Sequence, residues 1–531
     1  MSRRAFAAAP AAFLAIFFAW PVATLIQRGF ADDSGALGRL LGSGSFRSVA
    51  WFTLWQAMAS TALTMALAMP LTWAVANVRF RGRRLVHALV TVPFVLPTVV
   101  VAGALLATGD RLGLTEGTFA LSKSVFAILV AHIFFNVAVV VRTVGGYWSQ
   151  LSRVDENAAR VLGTSPIAVF VRITLRRLRP ALLAAGSIVF LFTFTSFGIV
   201  LILGGARHRT IETEIFRHAV SRTDFGTAAA LSVVQLVAVV VLVTVNIRLR
   251  RSLPKSDRIT IDRAIRPRSR AARAGVAAIV LGTVTVLAVP IAALIEQSLA
   301  AESGWTLDHY RSLDKRPPFL TVTPLRAIAN SLGFAVVAAT IATVVGGWTS
   351  LVIVYGSKIT SRLLELGYLL PLGTSAVTLG FGILITFDTG VADLRQSWLI
   401  VPLAQALIGI PFVTRAVVPV LRSIDPHLRD AAASMGANPA KVRRDIDAPI
   451  ARRALSVGAG FAFAISLGEF GATSFVGRRP DLMTVPLAIA RLLGQPGDVI
   501  RAQAMALSVL LMLLTTVVLL IIGRRGDHAL I

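Results

Sequence analysis

Long apolar stretches separated by short polar segments dominate the pattern of this chain. A helix needs about 20 mostly apolar residues to cross the hydrocarbon core of a bilayer, and about twelve stretches reach that length. The predicted spans are 5–27, 51–77, 86–108, 124–146, 181–203, 227–247, 274–297, 329–355, 363–387, 398–418, 456–476 and 504–523. The pattern therefore predicts an all-α polytopic membrane protein. The first stretch is longer than the apolar core of a signal peptide, so we expect it to be a helix of the protein.

The composition agrees with a membrane protein and excludes several other classes. Of the 531 residues, 55% are hydrophobic and 15% are charged, whereas about 25% are charged in an ordinary soluble domain. The chain has no cysteine, which excludes disulfides, cysteine-based metal sites and thiol chemistry. A formal net charge of +27 would suit a nucleic-acid-binding protein, but such a protein would not be this apolar. We expect a lipid bilayer around the chain and no nucleic acid.

The basic residues indicate which loops lie in the cytoplasm, because short cytoplasmic loops are enriched in Lys and Arg. When both termini are placed in the cytoplasm, the cytoplasmic segments hold 34 basic and 10 acidic residues. The outer segments then hold 18 basic and 15 acidic residues. The excess positive charge is therefore a feature of membrane topology, and both termini are predicted to be cytoplasmic.

Residue patterns that recur at a fixed interval indicate an internal duplication. One series recurs 273 residues later: Asn157-Ala158-Ala159, Gly163 and Ile173 become Asp430-Ala431-Ala432, Gly436 and Ile446. The same interval relates Ser196-Phe197-Gly198 to Glu469-Phe470-Gly471. We predict two tandem halves of six spans, 1–247 and 274–531, joined by a basic cytoplasmic linker at 248–273. Two halves in the same orientation form a parallel repeat, with a pathway expected at their interface.

The paired loops between the fourth and fifth spans of each half carry the most informative sequence. Each reads as a short helix, a turn at glycine and a second helix. Ser165-Pro166 and Asn438-Pro439 follow the two glycines, and a polar N-cap followed by proline is a helix-start signal. Ordinary basic loops would explain one such copy, but two copies in register favour docking of a partner protein.

The spacing of these loops resembles the E-A-A motif of ABC importer permeases, in which a glycine and then I-x-L-P follow at fixed distances. In that family, the two short helices dock on a cytoplasmic ATPase. The resemblance implies a first docking loop of Glu156, Asn157, Ala158, Ala159, Gly163 and Ile173. It implies a second docking loop of Asp430, Ala431, Ala432, Gly436, Ile446 and Pro449. Arg176 stands where the first copy should have proline, and Ala448 replaces leucine in the second.

The fused two-half arrangement narrows the resemblance to permeases of the thiamine and ferric-iron type. Two stretches look especially like thiamine permeases: 194–215 and 466–486. The resemblance implies a bacterial inner-membrane importer with thiamine as the substrate and ferric iron as the alternative. It also implies two copies of an ABC ATPase and an extracytoplasmic solute-binding protein as partners.

The two repeated Phe-Gly segments are candidate pathway or gate residues. They comprise Ser196, Phe197, Gly198, Glu469, Phe470 and Gly471. A carboxylate such as that of Glu469 is costly inside a membrane unless it is paired or hydrated. It could line the pathway and contact a cationic substrate, or it could form a hydrogen bond to Ser or Thr in a neighbouring span. Both alternatives remain open from the sequence.

Catalytic and cofactor motifs are absent from the sequence. It contains no G-x-x-x-x-G-K-[ST] phosphate-binding loop, so we expect ATP to be used by the partner subunit, with no cofactor or metal bound by this chain. Two other classes compete with the importer. A twelve-span ion-coupled transporter would need several buried charges, of which Glu469 is the clear candidate, and a membrane enzyme would need a catalytic cluster.

Overall fold

The computed structural model describes residues 3–30, 36–251, 264–267, 269–301, 304–388, 394, 396–477 and 479–525. Within these residues the architecture is helical, and the one sheet is a two-residue hairpin of β1 (Ala300–Ala301) and β2 (Gly304–Trp305), paired antiparallel. The expected all-α polytopic fold is confirmed.

The described residues of the first half form thirteen α-helices. They are α1 Arg3–Leu14, α2 Trp20–Phe30, α3 Ala36–Gly42, α4 Gly44–Asn77, α5 Arg83–Val95, α6 Thr98–Leu112, α7 Val125–Gln150, α8 Val154–Val161, α9 Pro166–Val169, α10 Leu175–Phe194, α11 Gly198–Leu203, α12 Ile211–Phe216 and α13 Phe225–Arg251. Short π-helical turns at Ala15–Ala19 and Phe170–Thr174 join α1 to α2 and α9 to α10, and another at Arg217–Ser221 extends α12.

The part of the second half that the structure describes has twelve α-helices. They are α14 Arg270–Leu299, α15 Asp308–Arg311, α16 Pro324–Tyr355, α17 Lys358–Gly373, α18 Ala376–Thr386, α19 Ile400–Ser423, α20 Pro426–Ser434, α21 Pro439–Val442, α22 Ala448–Gly468, α23 Thr473–Val476, α24 Val485–Leu493 and α25 Asp498–Arg525. A π-helical turn at Arg443–Asp447 joins α21 to α22, and 3₁₀ turns occur at Ser312–Asp314 and Pro480–Leu482.

Ten helices in the described part of the chain are long and apolar enough to cross a membrane, and a bent pair makes up to eleven. The bent pair is the predicted third span, in which Leu85–Val95 and Thr98–Leu112 meet at 103°. Pro97 lacks an N–H and disfavours a helical residue before it, so Leu96 is extended and the helix breaks there. The predicted ninth span, 363–387, is likewise two helices, because Thr374 and Ser375 are extended between α17 and α18.

The bounds predicted for the fifth and eleventh spans are wrong at both ends. The fifth helix runs over Pro166–Phe194 instead of 181–203, and the eleventh runs over Pro439–Gly468 instead of 456–476. Each helix starts inside the predicted cytoplasmic loop, so the second helix of the docking motif is the first part of a span. Each helix also ends early, and the apolar residues beyond its end form a separate short helix, α11 or α23.

Three helices at equivalent positions form the centre of each half. Helices α4, α7 and α10 pack on one another in the first half, and α16, α19 and α22 do so in the second. Close approach of α19 and α22 depends on Gly458, because a Cβ at this position would lie 2.8 Å from Val413 Cα. Small residues at such contacts let membrane helices pack by van der Waals contact. This repeated packing agrees with the duplication.

The first span of each half packs against helices of the other half. The N-terminal rod of α1 and α2 lies against α16, α17 and α18, where Tyr368 donates a hydrogen bond of 2.7 Å to the Pro10 carbonyl oxygen. Helix α14 lies against α4, α5 and α6, and Gln297 donates to Asp110 Oδ2 at 3.0 Å. The two halves are therefore interlocked and do not meet at a single flat surface.

The segment between α13 and α14 is shorter than the predicted linker at 248–273, because α13 continues to Arg251 and α14 begins at Arg270. Residues 252–263 and 268 lie outside the described residues. Ile265 is hydrogen-bonded to the backbone of Asn77 and Arg79, after α4. The linker is thus fastened to the loop between the second and third spans, while the division into 1–247, 248–273 and 274–531 stays a prediction.

We predict that Gly458→Ala destabilises the protein, because the added methyl would meet the Val413 backbone of α19. Overpacking of this kind costs about 1–3 kcal/mol. The measurement is the midpoint of thermal unfolding of the full-length chain in detergent, followed by size-exclusion chromatography. Gly333→Ala is the matched control, because this glycine is also in a spanning helix and a Cβ there would meet nothing within 4 Å. Equal midpoints for the two variants would contradict the packing argument.

Candidate functional site

The two repeated Phe-Gly segments face each other at the interface of the halves. Phe197 lies between α10 and α11, and Phe470 lies between α22 and α23. Their rings are stacked, with centroids 5.3 Å apart and planes inclined by 21°. All six candidate pathway residues are consequently brought to one place, and Phe197, Phe470 and Glu469 are buried there.

Glycine is required beside this ring pair because side chains of other segments come very close. A Cβ on Gly198 would lie 2.5 Å from Thr98 Oγ1, next to the break in the third span. A Cβ on Gly471 would lie 2.9 Å from Ala376 Cβ, next to the break in the ninth span. Four helix breaks, two from each half, therefore meet at the Phe197–Phe470 pair.

Glu469 caps the short helix that follows it. Its Oε1 accepts a hydrogen bond of 2.7 Å from the Ala472 N–H, and its Oε2 accepts one of 2.9 Å from the Thr473 N–H. The Thr473 hydroxyl also donates to Oε2. The partner is thus a threonine in the same segment rather than in a neighbouring span, and the carboxylate satisfies backbone donors that a helix start leaves unpaired.

The symmetry mate of Glu469 is held differently. Ser196 Oγ lies 2.8 Å from His132 Nε2, and the other ring nitrogen of His132 lies 2.9 Å from Ser60 Oγ. In the second half, Gln405 stands 273 residues after His132, and its Nε2 donates to Thr473 at 3.5 Å. Equivalent helices, α7 and α19, therefore support the broken segment of each half, one through a histidine and the other through a glutamine.

A cavity of about 270 Å³ lies beside the ring pair. Both halves line it, so it occupies the interface where a pathway was expected. Its lining residues include Thr98, His132, Phe135, Asn136, Phe192, Thr195, Ser196, Phe197, Gly198, Glu469 and Phe470. The volume is close to the lower end of the range typical for small-molecule sites, about 300 Å³.

A second buried carboxylate, at Glu212 in α12, was not singled out by the sequence analysis as a site residue. It is fully buried and accepts hydrogen bonds from Gln235 at 2.7 Å and from Ser375 at 2.6 Å. Ser375 belongs to the second half, so this bond ties the halves together beside the break in the ninth span. A glutamate in a short polar segment gives no sign from sequence that it turns inward.

Glu214, two residues later, has the opposite environment. Burial raises its pKa, but hydrogen bonds from His218 and Arg217 and the charges of Arg217 and Arg209 outweigh this effect and lower the pKa to about 2. Glu214 is therefore ionised at any physiological pH and holds this basic cluster to α12.

The two predicted docking loops have the same backbone. Gly163 has φ +83° and Gly436 has φ +84°, in the left-handed region that glycine adopts without strain. The turns are closed by hydrogen bonds of 3.0 Å from Thr164 N to Ala159 O and from Ala437 N to Ala432 O. Ser165 and Asn438 cap the helices that follow, as the sequence predicted.

Each docking helix is fastened to the following span at equivalent positions but by different groups. In the first loop, Thr174 donates a hydrogen bond of 2.6 Å to Glu156 Oε1. In the second loop, the residues 273 positions later, Arg429 and Asp447, form an ion pair of 3.0 Å. Tyr355 also donates to Asp447 at 2.5 Å, and Asp447 is fully buried.

The loops differ in the surface that they expose. No residue of α8 is buried, and Ala432 is the one buried residue of α20. The first loop presents Val161, Leu162 and Ile167, each more than 75% exposed, whereas the second presents Met435. Among the remaining predicted docking residues, Ile173 and Ile446 are half-buried and Pro449 is exposed. The first loop is the more apolar of the two.

The described residues contain no group of three or more His, Cys, Asp or Glu side chains that could hold a metal ion. The carboxylates near the cavity are Glu469, which is committed to the cap of α23, and Glu212, which is committed to Gln235 and Ser375.

Comparison with known proteins identifies what both halves resemble. The family of binding-protein-dependent transport system inner membrane components matches the chain twice, at residues 66–255 and 283–527. The thiamine transport system permease protein of Brucella abortus (strain 2308) is 29% identical over 465 residues, which are 84% of this chain and 82% of that protein. The protein of the same name from Salmonella typhimurium is 25% identical over 521 residues, covering 93% and 92%.

A shorter relative matches one half. The putative 2-aminoethylphosphonate transport system permease protein of Salmonella typhimurium is 25% identical over 247 residues, which are 43% of this chain and 85% of that protein. Less than half of this chain thus matches most of that protein, which agrees with a tandem architecture of two similar halves.

We predict that Glu469→Ala abolishes transport, because three hydrogen-bond donors of α23 would lose their acceptor. An unsatisfied buried polar group costs about 1–3 kcal/mol. Glu469→Gln keeps one acceptor oxygen without the charge and is expected to retain part of the rate. Initial uptake rates at equal amounts of membrane-inserted protein provide the measurement. Equal loss in both variants would show instead that the charge is what matters.

Proposed function

The chain belongs to the family of binding-protein-dependent transport system inner membrane components, and we propose that it is the thiamine-conducting permease of an ABC importer. The observation that carries the proposal is the meeting of four broken helices, two from each duplicated half, around the cavity between the halves. A single chain with both halves needs no second permease subunit to enclose this space.

Thiamine is favoured as the substrate by two independent observations. The relatives that match nearly the whole chain carry the name of thiamine permeases. The cavity presents the phenyl groups of Phe135, Phe192, Phe197 and Phe470, which suit a flat aromatic cation. Ferric iron, the alternative, prefers several hard oxygen ligands, and the described lining offers one carboxylate that is already bonded. The half-length match makes 2-aminoethylphosphonate a further candidate.

The energy source is a separate ATPase, of which two copies dock on the loops of α8 and α20. The exposed docking helices and their identical glycine turns support this assignment, and the sequence lacks a phosphate-binding loop of its own. A solute-binding protein delivers thiamine from outside. An ion-coupled transporter would leave the paired loops without a role.

The charge distribution supports a location in the bacterial inner membrane with both termini in the cytoplasm. In this orientation both docking loops lie in the cytoplasm, where ATP is available. Residues 1–247 and 274–531 then act as the two moving halves, and the Phe197–Phe470 pair closes the pathway between them.

We predict that the double variant Gly163→Val/Gly436→Val inserts normally but loses uptake and ATPase association. Both positions have positive φ, where a β-branched residue is strained by roughly 1–2 kcal/mol, so both docking turns would be distorted. The measurements are thiamine uptake in cells and co-purification of the ATPase.

Gly82→Val is the matched control, because Gly82 has φ +87° in another predicted cytoplasmic loop and a Cβ there would also meet nothing within 4 Å. Its ATPase association is expected to stay near that of the wild type. Normal association and uptake in the double variant would overturn the docking proposal.

We predict thiamine uptake above background when the chain, its binding protein and its ATPase are expressed in bacteria that lack their own thiamine permease. Uptake of labelled thiamine, ferric iron and 2-aminoethylphosphonate should be compared, together with calorimetric binding of each to the binding protein. Tight binding and uptake of iron or the phosphonate, without thiamine, would overturn the substrate assignment but leave the importer intact.

A further inference from the structure

Asn136 on α7 is the polar side chain of the cavity that stands out. It lines the cavity and is only 2% exposed. Its Nδ2 donates a hydrogen bond of 2.9 Å to the carbonyl oxygen of His132, one turn earlier in the same helix. This bond fixes the orientation of the amide, and Oδ1 is left buried without a hydrogen-bond partner among the described residues.

An unpaired buried acceptor is costly, because burial removes its hydrogen bonds to water and no protein donor replaces them. The other polar groups around Asn136 do not share this property. Both ring nitrogens of His132 have hydroxyl partners, and both oxygens of Glu469 accept hydrogen bonds. Asn136 Oδ1 is therefore available to a donor that enters the cavity.

The surroundings of Asn136 restrict what that donor can belong to. Phe135 precedes it, and Phe192, Phe197 and Phe470 line the same cavity. Phenyl faces attract cations and pack well against flat rings. A volume of about 270 Å³ admits a small organic molecule rather than a peptide.

We propose that this cavity is a transit binding site in which Asn136 Oδ1 accepts a hydrogen bond from a ring amino group of a cationic heteroaromatic substrate. The inference rests on the proposed function and deepens it, because thiamine carries an aminopyrimidine and a thiazolium ring. The first half supplies the recognition, since the residue 273 positions after Asn136 is Gly409, which has no side chain.

Cysteine protection tests the site directly, because the native chain contains no cysteine. Thr195→Cys places one thiol in the lining of the cavity, and Ser149→Cys places one at the far end of α7. The full-length chain is reconstituted in lipid nanodiscs and treated with a small methanethiosulfonate reagent. Thiamine should slow the modification in Thr195→Cys and leave that in Ser149→Cys unchanged.

The role of Asn136 is measured by adding Asn136→Leu to Thr195→Cys. Half-protection should then require about tenfold more thiamine, the size expected for one lost hydrogen bond. Oxythiamine, in which a carbonyl oxygen replaces the pyrimidine amino group, should protect the Asn136-containing chain weakly. It should protect the Asn136→Leu chain about as well as thiamine does, a loss of discrimination that misfolding would not produce.

Gln56→Met is the matched control. Gln56 on α4 is equally buried with an unpaired Oε1, but it does not line the cavity, so its variant should keep the discrimination. The inference is overturned if thiamine gives no protection in a chain that transports it, or if Asn136→Leu still distinguishes thiamine from oxythiamine. Absence of thiamine uptake by the wild type would instead be a failure of the proposed function.

Discussion

The constraint on which this structure depends is that backbone polar groups inside a bilayer must be satisfied by protein. Helix breaks are tolerated where other helices cover them, and here four breaks are gathered at the interface of the halves. Side chains complete the pairing: Glu469 accepts from two backbone N–H groups, and Ser375 accepts from those of Val377 and Thr378. The four helix breaks thus lie together at the interface where the cavity is.

Duplication preserved the backbone of the halves while their chemistry diverged. The glycine turns of the two docking loops have the same φ, yet the tie behind one is a neutral hydrogen bond to Glu156 and behind the other an ion pair of Arg429 with Asp447. At the cavity, Ser196 and Glu469 occupy equivalent positions with unrelated partners. The proposed pathway requires the two halves to move symmetrically, but it does not require both halves to bind the solute in the same way. The side chains at the cavity are therefore free to differ between the halves.

Much of the fold could be predicted from sequence, because the thickness of a bilayer sets the length of a spanning helix and hydropathy shows how long each apolar segment is. The turns of the two predicted docking loops could be predicted from Gly163 and Gly436, because a backbone with positive φ favours glycine. Hydropathy does not show where a helix breaks: the apolar pattern continues through residues 195–203, yet α10 ends at Phe194 and Gly198 packs closely against Thr98 and Phe470. The role of Glu212 could not be predicted from sequence either, because its partners Gln235 and Ser375 are distant in sequence and Ser375 is in the other half.

The early start of the fifth and eleventh helices connects the two functional regions physically. The rod from Pro166 to Phe194 has 29 residues, which corresponds to about 43 Å at the helical rise per residue. The proposed docking turn at Gly163 precedes one end of this rod, and Ser196 and Phe197, which line the cavity, follow its other end. A helix this long is stiff along its axis, so displacement of the turn by a closing ATPase would move the broken segment directly. The equivalent rod from Pro439 to Gly468 ends at Glu469, and rotation of the two rods in opposite directions would separate Phe197 from Phe470.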